Sequence, residues 1–401
     1  MAVRALRHPF FPGVGKGFQM QRDFLAMRQP RVLAERCVHA VCPGASCRAC
    51  VTACPQEAWV FTHESLGLNT RTCDGCQRCE PVCPTGAIGF VEPVTAAPGV
   101  WQGEKALYLH CEMSDVPVGA EGRVPCLHGV GVGAVVAWSA EGVQTLLTAS
   151  GPCSDCHRNR GDGPLLATTV AQAALLNRSR GQAALAQVAL DAVAWQRARV
   201  ENPPRKPPAP VVGRRGFFRL SVQAVADEAS KLSAVVRPET SEAEERVFIP
   251  AGRRLAAVDG ETAADAACHL WVPELDSRRC TGCHACVRIC PFAALSFIPA
   301  TAPEPGEEGR PVSAPGPAYG IDPAGCTGCG LCRDVCETGA ITLHGLARQT
   351  QQILELHEGR CRACGTVVHV PQTAAGDFLA DGLCRVCRRN NPYRNLFQVL
   401  P

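Results

Sequence analysis

Three stretches of this chain are copies of one another, and each is built on four cysteines. Residues 73–90 read CDGCQRCEPVCPTGAIGF, residues 280–297 read CTGCHACVRICPFAALSF, and residues 326–343 read CTGCGLCRDVCETGAITL. A partial fourth copy, CRACVTACPQEAWVF, occupies 47–61. Each copy has an alanine four residues after its last cysteine (Ala58, Ala87, Ala294 and Ala340) and then enters an apolar, strand-like run. An internal repeat of this kind implies duplicated supersecondary units. Its C-x2-C-x2-C spacing sets three thiols on one tight loop, so the backbone must fold around whatever those sulfurs bind.

The 26 cysteines among 401 residues have two ordinary sources: a disulfide scaffold in a small secreted chain, or metal ligation in an intracellular one. The opening residues, M-A-V-R-A-L-R-H-P-F-F-P-G-V-G-K, contain no apolar h-region, so no secretory signal is expected. The longest apolar candidate, Leu165 to Leu176, is too short to span a bilayer and is followed by Asn177, Arg178 and Arg180. The expectation is a cytoplasmic protein with reduced, metal-bound thiols. Lys and Arg total 40 against 37 Asp and Glu, a formal +3. Thiolate ligation would make the loaded protein acidic, so nucleic-acid binding through bulk charge is not expected.

The run C-x2-C-x2-C-x3-C-P resembles the ligand pattern of bacterial-type two-cluster [4Fe–4S] ferredoxins, over about 60 residues at each end of the chain. In that pattern three thiolates grip three corners of a cubane. The fourth lies on a short helical turn that points away and serves the cubane of the partner run. For the C-terminal pair the resemblance implies one site from Cys280, Cys283, Cys286 and Cys336 and another from Cys326, Cys329, Cys332 and Cys290. For the N-terminal pair it implies Cys73, Cys76, Cys79 and Cys54 together, and Cys47, Cys50 and Cys83 in a set that lacks its first ligand. Normal spacing would put that ligand at Gly44, so Cys37 and Cys42 compete for the role. The order C-x9-C-x2-C-x3-C-P from Cys37 resembles polyferredoxin-like proteins encoded beside molybdenum or tungsten formate dehydrogenases, which implies Cys37 as ligand and Cys42 as spare. Cys336 departs from the pattern, because Glu337 follows it instead of proline.

Cys361-x2-Cys364 and Cys384-x2-Cys387, each of the form C-R-x-C, fit the two knuckles of a zinc ribbon. A bound zinc would staple a tail that has little core of its own. Between the cysteine-rich ends, K-A-L-Y-L-H-C reads as a buried strand ending at Cys111, residues 127–140 as a helix, and V-Q-T-L-L-T-A-S as a second strand. In a right-handed βαβ unit both strands end at one edge, which would bring Cys111, Cys126, Cys153 and Cys156 together. The arrangement resembles thioredoxin-like iron–sulfur domains and the small iron–sulfur subunits of hydrogenase complexes. A further metal site, a redox-active Cys153/Cys156 dithiol and inert thiols all remain open. The glycines of G-V-G-V-G-A at 129–134 lack nucleotide-binding spacing. R-R-G-F-F-R at 214–219 resembles a twin-arginine core but sits mid-chain. Cys268 reads as a buried small side chain, and His39, His157 and His284 as neighbours of ligands.

The expected architecture is α+β: two ferredoxin-like 2[4Fe–4S] modules (37–98 and 268–347) flanking a small α/β domain (99–198). A lead-in (1–36), a proline-rich basic linker (199–216), a helical or irregular connector (217–267) and a zinc-ribbon-like tail (348–401) complete it. No nucleophile–base pair, phosphate loop or flavin motif is visible. The expected function is therefore electron transfer through four [4Fe–4S] clusters, to or from a larger, formate dehydrogenase-like oxidoreductase, with no catalytic residues of its own. The alternatives are a maturation factor for such an enzyme working through Cys153 and Cys156, and a redox-sensing zinc-ribbon regulator.

Overall fold

The computed structural model describes residues 28–61, 66–91, 94–160, 165–203, 267–300, 316–374 and 380–390. The first cysteine-rich module runs β1 (Arg31–Val32), α1 (Val38–Val41), α2 (Ala49–Ala53), β2 (Trp59–Phe61), β3 (Leu66–Leu68) and β4 (Ile88–Gly89). β1 pairs antiparallel with β4, and β2 with β3. The outer ladder thus joins residues before the first cysteine run to residues after the second, and the inner ladder closes the space between the runs. Helices of four or five residues do not hold themselves in water. The module's core is Cys50, Trp59, Cys79, Cys83, Ala87, Ile88 and Phe90, so thiols fill space that aliphatic side chains would fill elsewhere. So small an apolar core leaves much of the stability to whatever the sulfurs bind.

The middle domain follows with β5 (Ala97–Trp101), β6 (Glu104–Cys111), β7 (Arg123–Val124), α3 (Val132–Ala140), β8 (Thr145–Ala149), α4 (Leu166–Ser179), β9 (Ala186–Leu190) and α5 (Ala192–Glu201). The sheet order is β5-β6-β8-β9, with β7 added beside β6. β6, β7, β8 and β9 run parallel, and β5 is an antiparallel edge. Alternation along β6 divides the core. Leu107, Leu109 and Cys111 face α3 and α4 through Val135, Val136, Val170 and Leu176, whereas Ala106 and Tyr108 face Trp195 and Ala198 of α5. α3 begins at Val132 rather than 127, because Leu127–Gly129 forms a 3-10 turn and glycines 129 and 131 disfavour helix. α5 continues through Glu201, so the stretch expected as linker from 199 begins helical; residues 204–266, which hold the rest of the linker, the R-R-G-F-F-R motif and all but the last residue of the connector, lie outside the described residues.

The second cysteine-rich module runs β10 (Cys268–Leu275), α6 (Ala285–Ile289), β11 (Leu295–Ile298), β12 (Ala318–Ile321), α7 (Leu331–Asp334) and β13 (Ile341–Arg348). Its pairings repeat those of the first: β10 with β13 and β11 with β12, both antiparallel. The tail continues as β14 (Gln352–Arg360), β15 (Val367–Pro371) and α8 (Arg385–Asn390). β14 pairs with β12, so the tail extends the module's sheet to four strands in the order β11-β12-β14-β15. Cys268 is 7% exposed and packs in the core of the middle domain, where its N–H donates to Ser179 Oγ at 3.0 Å. Among the described residues no helix is long and apolar enough to cross a membrane.

Candidate metal centre

The fold brings the repeated cysteines into four groups, and each group draws its fourth member from the other run of its module. A cavity of about 350 Å³ is lined by Cys37, Cys47, Cys50 and Cys83, and one of about 340 Å³ by Cys290, Cys326, Cys329 and Cys332. Cys54 faces Cys73, Cys76 and Cys79 and helps raise all three thiols. Cys336 stands in the same relation to Cys280 and Cys286, beside Cys283. Cys42 lies outside the Cys37 cavity; it packs instead against Val38, Ala45 and Leu331.

The repeated alanines acquire a physical role here. The N–H groups of Ala58, Ala87 and Ala340 donate to the sulfurs of Cys54, Cys83 and Cys336 at 3.3, 3.2 and 3.2 Å. Their side chains, like that of Ala294, are buried. Donors aimed at sulfur are one of the protein's levers on the potential of a bound cluster. Burial pushes the Cys50, Cys76, Cys286 and Cys332 thiols up to about 12 and that of Cys326 to about 11, with neighbouring thiols adding to the rise. Such thiols ionise only when a cation arrives to stabilise the thiolate, so loading releases protons. Cys336 moves the other way: burial opposes its ionisation, but the Thr338 hydroxyl and the N–H groups of Ala340, Thr338 and Gly339 outweigh it.

The four groups stand in single file. Cys50 and Cys79 share the first module's core, and Cys286 and Cys332 share the second's. Between the modules, Cys47 and Cys329 both pack on Val38, Ala45 and Leu331. That joint is pinned by Ser46, whose N–H donates to Asp334 Oδ2 at 2.7 Å and whose hydroxyl donates to Asp334 Oδ1 at 2.8 Å; Arg333 donates to Ser46 Oγ at 2.8 Å. Asp334→Ala is expected to speed hydrogen exchange at the Ser46 amide about tenfold, since a bond to a charged acceptor contributes about 1.5 kcal/mol or more; amide exchange read by mass spectrometry checks this.

The last four cysteines form a different kind of site. The sulfurs of Cys361, Cys364, Cys384 and Cys387 all lie within 4.8 Å of one another, and Cys364 and Cys384 are 3.8 Å apart. Metal–sulfur bonds of about 2.3 Å put tetrahedral sulfurs roughly 3.8 Å apart, so these four fit a single ion. The Cys384 N–H donates to Cys361 Sγ at 3.2 Å and holds that thiol below its ordinary range. Among the described residues this is the one cysteine group compact enough for a single ion. Glu337, which replaces the usual proline, pairs with Arg385 of α8 and ties the tail to the second module.

The middle-domain cysteines also converge. Cys111 ends β6, Cys126 follows β7, and Cys153 and Cys156 flank a 3-10 turn after β8. All four line one cavity of about 350 Å³ at the ends of parallel strands, the edge where such sheets place ligands. Sequence reasoning missed two buried arginines beside it. Arg158 donates to Asp74 at 2.7 Å, Glu112 at 3.0 Å and the Pro125 carbonyl at 2.6 Å; Arg78 donates to the Arg158 carbonyl at 2.6 Å. It also missed the use of the glycine run. A Cβ on Gly131 would lie 2.7 Å from Pro81, and one on Gly129 would lie 3.3 Å from the Cys76 carbonyl. These glycines let the middle domain close on the first module. Of the three histidines, His39 binds the Cys47 carbonyl at 2.9 Å, His157 lies 3.2 Å from Asp74, and His284 contacts His369 and Tyr319 at 2.9 and 3.1 Å.

The model of the 4Fe–4S binding domain matches residues 67–89, 273–296 and 319–342. Over 56 residues the chain is 39% identical to the uncharacterized ferredoxin MJ0199 of Methanocaldococcus jannaschii, covering 14% of this chain and 89% of that one. The chain belongs to the 4Fe–4S ferredoxin family. It is also similar to the Escherichia coli protein named "Putative oxidoreductase UacF", at 42% identity over 45 residues, 11% of this chain and 7% of that protein. This ferredoxin therefore spans a small fraction of the larger relative, and most of its own length lies outside both matches. The run at 37–54 is outside the matched domain ranges.

Proposed function

We propose that this ferredoxin relays single electrons to or from a larger oxidoreductase through four [4Fe–4S] clusters. The ligand sets are Cys37, Cys47, Cys50 and Cys83; Cys54, Cys73, Cys76 and Cys79; Cys290, Cys326, Cys329 and Cys332; and Cys280, Cys283, Cys286 and Cys336. Cys361, Cys364, Cys384 and Cys387 hold a structural zinc. When bound, the clusters supply one-electron chemistry at potentials set by burial and by hydrogen bonds to sulfur. The rest of the work falls to the chain. It excludes water from Cys50, Cys79, Cys286 and Cys332, aims the Ala58, Ala87 and Ala340 amides at sulfur, and keeps neighbouring sets in contact.

The observation that carries this reading is the continuity of the file across the Ser46–Asp334 joint, which places Cys47 of one module beside Cys329 of the other. Two independent carriers would not need such a joint. The partner is read as a formate dehydrogenase-like molybdenum or tungsten enzyme of the cytoplasm, on the resemblance of the Cys37–Pro55 run. Metal and sulfide analysis of anaerobically purified protein, with electron paramagnetic resonance after reduction, tests the proposal. At least about sixteen irons, matching sulfide and one zinc per chain are expected, with reduction reversed by a one-electron acceptor. A colourless protein carrying only zinc would overturn it.

A further inference from the structure

We propose that Cys111, Cys126, Cys153 and Cys156 form a fifth iron–sulfur site, in the middle domain, and that it extends the file beyond the Cys54/Cys73/Cys76/Cys79 set. The first support is size. The cavity these four line, about 350 Å³, equals the cavities lined by two of the repeat-derived sets, at about 350 and 340 Å³. The second is spread: these sulfurs are not among the groups compact enough for one ion, unlike the four in the tail. Like the repeat-derived sets, they leave more room between sulfurs than the tail site does. All four are free thiols, Cys111 and Cys126 buried and Cys153 and Cys156 half-buried.

Placement carries the inference further. The loop after Cys126 closes on the loop that bears Cys76: a Cβ on Gly129 would lie 3.3 Å from the Cys76 carbonyl. Arg78 is 1% exposed, lies between Cys76 and Cys79 in the chain, and donates to Arg158 and Arg160 on the middle-domain side. Arg158, 6% exposed, itself lines the middle cavity. Two guanidinium groups thus lie at the contact between the two thiol sets. The turn Cys153–Asp155 borders the cavity through Cys153, and its Ser154 and Asp155 are exposed. The fifth site therefore reaches solvent through a short turn at the middle-domain end of the file, as the Cys280 set does at the other end through exposed Cys283, and serves as a port for exchange with a partner.

The proposal does not depend on which enzyme that partner is, and its failure is separable from that of the four-cluster reading. The experiment compares iron and sulfide content, Mössbauer spectra and electron paramagnetic resonance of the full-length protein with those of Cys126→Ser and of Cys153→Ser/Cys156→Ser. The double variant changes half-buried positions on a surface turn, so it guards against a packing defect at buried Cys126. About eighteen irons in the wild type would mean a two-iron core and about twenty a cubane; either supports the site, provided both variants fall back to about sixteen with zinc retained. In the variants the resonance of the neighbouring reduced set is expected to relax more slowly, having lost a paramagnetic neighbour. Sixteen irons in the wild type, unchanged iron in both variants, or a second zinc would overturn it. Sixteen irons with Cys153 and Cys156 reversibly oxidised to a disulfide would overturn it in favour of a dithiol.

Discussion

Cys37→Ser is expected to lower the iron content of anaerobically purified protein by about four per chain, whereas Cys42→Ser is expected to leave it unchanged. The two cysteines are five residues apart and both competed for the role in the sequence, where only a resemblance favoured Cys37; in the structure their surroundings differ. Cys37 lines the cavity with Cys47, Cys50 and Cys83, and its N–H is fixed on the Ala34 carbonyl at 3.0 Å, which sets the side chain at the mouth of the loop. Cys42 ends α1 with its N–H on the Val38 carbonyl at 2.9 Å and turns its sulfur to the apolar joint formed with Leu331. A serine hydroxyl is far less acidic than a thiol and a poor partner for iron, so a ligand position registers the change in full. At Cys42 the same change sets a hydroxyl against Val38 and Leu331, a cost of about 1 kcal/mol in stability with the metal intact. Iron loss in Cys42→Ser with retention in Cys37→Ser would reverse the assignment.

Arg158→Met is expected to destabilise the middle domain by about 3 kcal/mol. The guanidinium bridges Asp74 of the first module, Glu112 of the middle domain and the Pro125 carbonyl. Removing it leaves two carboxylates short of a partner at a largely buried position. Glu112 keeps Arg28 and sits 3.9 Å from Arg123, and Asp74 keeps His157; these remaining cations keep the cost below that of stripping an isolated buried pair. Denaturant unfolding followed through the near-ultraviolet signal of buried Trp195 measures the effect. Arg158→Lys is expected to recover only part of it, because an ammonium cannot hold three acceptors in the fork geometry of a guanidinium. A loss below about 0.5 kcal/mol would mean that the network is ornamental.

The cysteine runs and the βαβ order were legible because both follow local rules: fixed spacing on tight loops, and apolar alternation around Tyr108 and Leu147. The alanine at the fourth position after each run was visible as a pattern, but its meaning needed coordinates, since only geometry aims the Ala87 N–H at Cys83. Gly129 and Gly131 read as a glycine run without a ligand, because what they admit is another part of the backbone, some 50 residues earlier in the chain. β14 was read as part of a separate tail. Nothing local to its sequence shows that β12 offers an open edge to pair with; of its residues only Leu356 is buried. Arg78 and Arg158 were unremarked for a similar reason: an arginine in a sequence reads as surface until the surface is covered.

Each of the three bodies touches both others. Asp74 is gripped by Arg158, Cys268 is sunk in the middle domain beside Ser179, and Ser46 is held by Asp334. In such a closed circuit the last joint forms at an effective concentration set by the other two, so a small polar handshake stays shut without a large apolar area behind it. The crossing between the two halves can then rest on one serine–aspartate pair over a small apolar contact of Val38, Ala45 and Leu331, and still behave as a permanent seam.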